Sequence, residues 1–309
     1  MEGKVMRVSA LSTITLSLLF IQSSAHADSI LDIANQVKSQ GWFKSCSQAL
    51  PRLNSISEPS PSSPDWKVYI KIKAGCLSEL RRDAEAIAYI NKKLPDAKND
   101  SEISEYLGTS YIRLGSFDKA TEVLEASLIG ADNSRLSEIY SKLALSYSQQ
   151  ATQLSPTDTL EQTRVLKKAE SAALEAIKLG NPAAPHFYTQ LGQIQILKGD
   201  FVAAENTLNL ALSVNESYKW EKLELKPIME AEILMAQSQA RRYQGDDVGA
   251  DYMAEEAIRK SPTESLKIVM QQIHEASKTA TSLQRKSHKD DSGKHNLLNQ
   301  IYIPLDEDI

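Results

Sequence analysis

The chain has 309 residues, 41% hydrophobic and 24% charged, ordinary proportions for a protein that buries a core. Its formal charge of −5 leaves no electrostatic footprint for nucleic acid or an anionic membrane. Twelve glycines and eleven prolines are too few for a many-turned β fold and favour an all-α chain.

The first 27 residues read as a cleavable signal peptide. Lys4 and Arg7 precede an apolar run over 10–21, and Ala25-His26-Ala27 supplies the small residues a signal peptidase reads. The run ends at Gln22, short of the ~20 residues a membrane anchor needs. The expectation is cleavage after Ala27 and a periplasmic or secreted chain with no stable membrane insertion. Export would place Cys46 and Cys76 in an oxidising compartment. One bridge or two buried thiols both fit the composition.

Helix pairs are expected near 28–57, 67–98, 101–132, 137–179, 185–216 and 225–260, together an array over 28–262. A Pro/Ser-rich loop, 58–64, separates the first two pairs. The fourth pair has Leu143, Ala144 and Tyr147 facing Ala169, Ala173 and Ala176, with the turn replaced by a longer loop at 154–158. Ser261-Pro262 starts a capping helix over 263–285. Residues 286–309 read as a flexible C-terminal tail, in which apolar residues at 296–305 form either a frayed end or a docking segment.

One pattern recurs along this array: Gly, any residue, an aromatic or Asp, two residues, then a small residue. It occurs at Gly41-Phe43-Cys46, Gly115-Phe117-Ala120, Gly199-Phe201-Ala204 and Gly245-Asp247-Ala250, with a degenerate copy at Arg81-Asp83-Ala86. Glycine ends the first helix because it adopts the left-handed cap cheaply. The small residue follows where two antiparallel helices cross most closely. Apolar residues recur at three and four positions, so each helix has one stripe that must be buried against neighbours. The turn at Arg81 precedes the turn at Gly115 by 34 residues, a repeat length that recurs in helix-turn-helix arrays.

Residues 101–134 closely resemble a tetratricopeptide repeat, through Leu107, Gly108, Tyr111, Gly115, Phe117, Ala120 and Leu124. Residues 185–217 are similar through Leu191, Gly192, Gly199, Phe201, Ala204, Leu208 and Ala211, and 231–262 more loosely through Gly245, Ala250, Ala254, Ala257 and Pro262. The resemblance implies an all-α superhelical solenoid of stacked antiparallel helix pairs. It also puts Cys46 and Cys76 on neighbouring helices, so that a Cys46–Cys76 disulfide is expected.

The resemblance further implies a concave groove lined by the first helix of each pair. Carried onto this chain, its positions are Lys71; Glu105, Thr109, Ile112 and Arg113; Ser141, Leu145, Ser148 and Gln149; His186, Thr189, Gln193 and Ile196; and Gln239, Arg242 and Tyr243. Amides would pair with an extended peptide backbone, Ile112, Leu145 and Ile196 would touch side chains, and Lys71, Arg113 and Arg242 would stand as separate positive points. Gly75 and Thr109 occupy positions where the family's clamp for an acidic peptide terminus carries Asn, which argues against that specialisation.

No phosphate-binding Gly-rich loop, HExxH or GxSxG is present, and the histidines share no helix face at three or four residues. His288, Asp290, Asp291 and His295 cluster only within the tail. Asn99 and Asn215 sit in N-x-S sequons. The reading is a non-catalytic adaptor or scaffold for a protein or peptide, with no cofactor, metal or nucleic-acid partner. A self-associating structural component, or less readily a cell-wall-processing enzyme accessory, is the alternative.

Overall fold

The computed structural model describes residues 29–40, 42–95, 100–155, 157–180, 184–220 and 222–289. The leader, Gly41, Asn99, Pro156 and the segment 290–309 lie outside them. Among the described residues are thirteen α-helices and no strand. They run in pairs: α1 (Ile30–Gln40) with α2 (Trp42–Ser55), α3 (Pro64–Glu79) with α4 (Asp83–Lys93), α5 (Ser101–Arg113) with α6 (Phe117–Ser127), α7 (Asn133–Gln153) with α8 (Thr159–Leu179), α9 (Pro185–Lys198) with α10 (Phe201–Ser217), and α11 (Leu225–Gln244) with α12 (Asp247–Lys260). A last helix, α13 (Glu264–Lys289), packs on α11 and α12 and continues past the 285 boundary drawn from composition.

Local chemistry sets the ends of these helices. Ser63 caps α3 ahead of Pro64 at its first position, and the Asp132 side chain accepts the Arg135 N–H at 2.9 Å at the start of α7. At the end of α9, Gly199 has φ 81°, and the amides of Gly199 and Asp200 turn back to the carbonyls of Ile196 and Gln195, both at 2.9 Å. The same closure recurs after α3 with Arg81 in the glycine's place. Arg81 has φ 58°, and the Arg82 N–H reaches the Leu77 carbonyl at 2.9 Å. The left-handed turn is thus demanded by the repeat even where the residue is not glycine.

The small residues after these turns are fully buried: Cys46, Ala86, Ala120, Ala204 and Ala250 each have 0% exposure. They let the second helix of each pair approach the first. Leu143, Ala144 and Tyr147 of α7 and Ala169, Ala173 and Ala176 of α8 form the corresponding buried faces of the longest pair. Cys46 on α2 and Cys76 on α3 are disulfide-bonded, with Cα atoms 4.9 Å apart. Lys93 on α4 meets Glu58 in the Pro/Ser-rich loop at 2.7 Å, so that loop is tied back onto the array. No helix among the described residues is long and apolar enough to cross a membrane.

Candidate partner-binding face

The odd-numbered helices form one continuous face. α1 packs on α3, α3 on α5, α5 on α7, α7 on α9, α9 on α11 and α11 on α13, while each even-numbered helix packs on the first helices of its own pair and of the next. Stacked in this way, the first helices supply an extended surface to which every pair contributes.

Polar side chains bind the rungs of this face to one another. Lys71 on α3 meets Asp100 at 3.0 Å and Glu102 on α5 at 2.9 Å. Burial alone would lower the Lys71 pKa, but the hydrogen bonds and charges of Glu102 and Asp100 outweigh it and hold it above its ordinary value. Glu105 on α5 accepts from Lys142 at 2.5 Å and Arg135 at 3.3 Å, both on α7. Ser141 on α7 donates to Gln190 on α9 at 3.1 Å, and His186 on α9 lies 4.0 Å from Glu138 on α7. Thr189 on α9 bonds its own helix at the Pro185 carbonyl and touches Met229 Sδ on α11 at 3.6 Å.

This bonding revises the expected groove at several positions. Lys71, Arg113 and Arg242 are expected as separate positive points facing a partner, yet Lys71 is engaged by Asp100 and Glu102. Arg113 instead donates to the Ser78 carbonyl at 2.6 Å and lies 3.6 Å from the buried Asp83 carboxylate. Arg242 is 3% exposed, with Asp251 at 2.5 Å and Asp247 at 3.6 Å. Ile196, expected to touch a partner side chain, belongs to the core at 4% exposure. Ser141, Ser148, Gln149 and Thr189 are buried as well, and Tyr243 stacks on Phe201 at 5.4 Å between ring centroids. The helices lie close enough for side chains of adjacent rungs to reach each other, which removes these groups from solvent.

What the face still offers is Thr109, Ile112, Leu145, Gln193 and Gln239, all half-buried, beside the polar rungs of Lys71, Glu105 and His186. Glu138, more exposed than these, and Gln190 also belong to it and escaped the family-based positions. It is an amide-bearing and locally apolar strip on which Lys71 and Glu105 are already paired, suited to contact by hydrogen bonding and packing. Among the described residues, no group of three or more His, Cys, Asp or Glu is placed to hold a metal. The cluster at His288, Asp290, Asp291 and His295 falls outside the described side chains.

A separate cleft of about 520 Å³ opens where the long α7–α8 pair overhangs α6. Asp118, Glu122, Glu125 and Glu161 line it with Arg164, Lys168 and Tyr147. Most of these charges are already engaged: Arg164 pairs with Glu161 at 2.6 Å, Gln150 donates to Asp118 at 2.8 Å, and Lys168 lies 5.0 Å over the Tyr147 ring, whose hydroxyl donates to Glu125. The length of α7 and α8 was legible in the sequence, but the overhang depends on α6 being short.

Residues 185–218 match the tetratricopeptide repeat family model. A search of curated proteins finds no match. Among solved structures, the chain is similar to the human IFIT1 dimer with PPP-AAAA, at 18% identity and a TM-score of 0.56, over 84% of this chain and 55% of that one. It is also similar to TTC0263, a thermophilic TPR protein of Thermus thermophilus, at 21% identity and a TM-score of 0.50, over 64% of this chain and 94% of that one. A third similarity is to YrrB, a TPR protein with an unusual peptide-binding site, at 15% identity and a TM-score of 0.43, over 74% of this chain and 99% of that one.

Proposed function

We propose that this chain, a tetratricopeptide-repeat protein, is a non-catalytic scaffold that holds a protein or an extended peptide against the face built by its odd-numbered helices, and that it works in the periplasm or outside the cell. The observation that carries the reading is the continuity of that face. Five successive pairs and α13 contribute to it through α3, α5, α7, α9, α11 and α13, and its rungs are fixed to one another by Lys71–Glu102, Glu105–Lys142 and Ser141–Gln190. A surface ordered before binding loses less entropy when a partner docks. Export is supported by the leader pattern of residues 1–27 and by the Cys46–Cys76 bridge, since such bridges persist in oxidising compartments.

Arg113 and Arg242 are unsuitable for testing this face, because replacing either breaks the array itself. Gln193 and Gln239 are half-buried on the face, and changing both to Glu alters charge with almost no change of size. Affinity capture from envelope extract should compare residues 28–309 with the Gln193→Glu, Gln239→Glu variant. The expected result is a protein retained by the first and lost by the second, with the same far-ultraviolet circular dichroism for both. Equal retention by both would move the interface off this face.

A second reading, association of the chain with itself, is supported by the apolar side chains that α10 and α12 expose: Val202 at 69%, Val248 at 84% and Tyr252 at 61%. Concentration-dependent mass in light scattering, in the absence of any partner, is its signature.

A further inference from the structure

The junction between α13 and the last helix pair buries polar groups that nothing answers. Ser238 Oγ on α11, and His274 Nδ1 and Ser277 Oγ on α13, have no hydrogen-bond partner among the described residues, and their residues are exposed by 1%, 7% and 1% respectively. Buried polar atoms left in this way weaken the interface that contains them.

The charges around His274 come from all three helices. From α12, Asp251 Oδ1 lies 3.6 Å from His274 Nε2. The same oxygen already receives Arg242 of α11 at 2.5 Å and Lys278 of α13 at 3.7 Å. Asp247 of α12 adds a carboxylate 3.6 Å from Arg242, and Glu275 of α13 one 3.4 Å from Lys278. An imidazolium at His274, itself 7% exposed, would be a third cation directed at one carboxylate oxygen.

We propose that α13 is an acid-released cap: protonation of His274, enclosed by Asp251, Arg242 and Lys278, loosens α13 from α11 and α12 and uncovers the apolar surface of Leu234, Met235, Ala254 and Ala257. These four residues belong to the cluster that Leu266, Met270 and Ile273 of α13 cover. Release therefore exposes a contiguous apolar face at the C-terminal end of the array.

The sign follows from linkage. Burial, then the charges of Lys278 and Arg242, hold the folded His274 below the ordinary histidine value of 6.5. The contribution of the neutral imidazole is complete above that value and is lost as pH falls through the window beneath it. Between pH 7.5 and 5.5 this favours the open form by up to about tenfold. Asp251 is held below its ordinary value of 3.8, chiefly by the Arg242 hydrogen bond, and so remains ionised across the window.

Hydrogen exchange on residues 28–309 at pH 7.5 and 5.5, corrected for intrinsic rates, tests the cap. At pH 5.5, segments from 264–283 and the facing parts of α11 and α12 should open up to about tenfold more often, with α5 to α8 unchanged. In His274→Gln that pH response should vanish. Equal protection at the two pH values, or the same response in the variant, would overturn the proposal. So would a native His274 pKa at or above 6.5 by NMR of the wild-type chain, a measurement that holds whether or not the variant folds.

Discussion

A methyl group has no room at Gly108. A Cβ there would lie 2.5 Å from Leu124 Cγ and 2.6 Å from Cδ2, and at Gly192 it would lie 2.7 Å from Cγ and Cδ2 of Leu208. The contacts reach the Cγ branch point as well as a methyl, and both leucines are 0% exposed with nowhere to swing, so the two helices would have to separate. Gly108→Ala gains at most ~1 kcal/mol of helix propensity and loses ~1–3 kcal/mol to overpacking. The expected net effect is a destabilisation of roughly 0–2 kcal/mol, read from urea titration; a stabilised variant would show that the crossing has slack. Residues of this kind were legible in the sequence because their reason is local. Leu107-Gly108 and Leu191-Gly192 recur at the same offset from their turns, and each glycine faces the leucine the register assigns to it. Arg81 was legible only as a degenerate copy of the turn, since nothing in its side chain announces a φ of 58°.

The insertion between α10 and α11 shows an element whose role the sequence hid. Asn215 sits in an N-x-S sequon, yet it is fully buried in α10. Its Nδ2 donates to the Lys226 carbonyl at 3.2 Å, and its Oδ1 accepts from Trp220 Nε1 at 3.1 Å. The nitrogen a glycan would use already fastens the start of α11 to the end of α10. Asn215→Ala should cost ~1–3 kcal/mol, by leaving a carbonyl and an indole N–H without their partner. It should also raise hydrogen exchange in α11's first turn, whereas unchanged melting would mean that water replaces the amide. The groove was less legible than the turns for a related reason. A family register gives the direction of a side chain from one helix, but Arg113 reaching Ser78, or Lys142 reaching Glu105, depends on the rotation between successive pairs. That rotation is a property of two packed elements, and no spacing within either helix encodes it.

Across the whole molecule the core is divided among several clusters rather than gathered in one. One cluster joins the first two pairs to α5, from Ile30 to Leu107; another runs from Ala120 to Ile194; further clusters lie along α9 to α13. In such an array each pair is stabilised chiefly by its neighbours, and an end pair has only one. Among the described residues the first pair stands at an end and is joined to the next through a Pro/Ser-rich loop, and there the Cys46–Cys76 bridge links α2 to α3 across 30 residues. Closing a loop of that length restricts the unfolded chain by about 3–4 kcal/mol in the loop-entropy description. Because the sulfurs belong to residues with 0% exposure, the bridge is out of reach of reductants until the pair opens. Cys46→Ala, Cys76→Ala should therefore lose stability locally. Urea unfolding should split into an early transition carried by α1 and α2 and a later one for α7 to α12 at its original midpoint, with exchange protection lost in the same order. A single transition shifted as a whole would mean that the clusters unfold as one cooperative unit, and that coupling between pairs exceeds the stability the bridge supplies to the first of them.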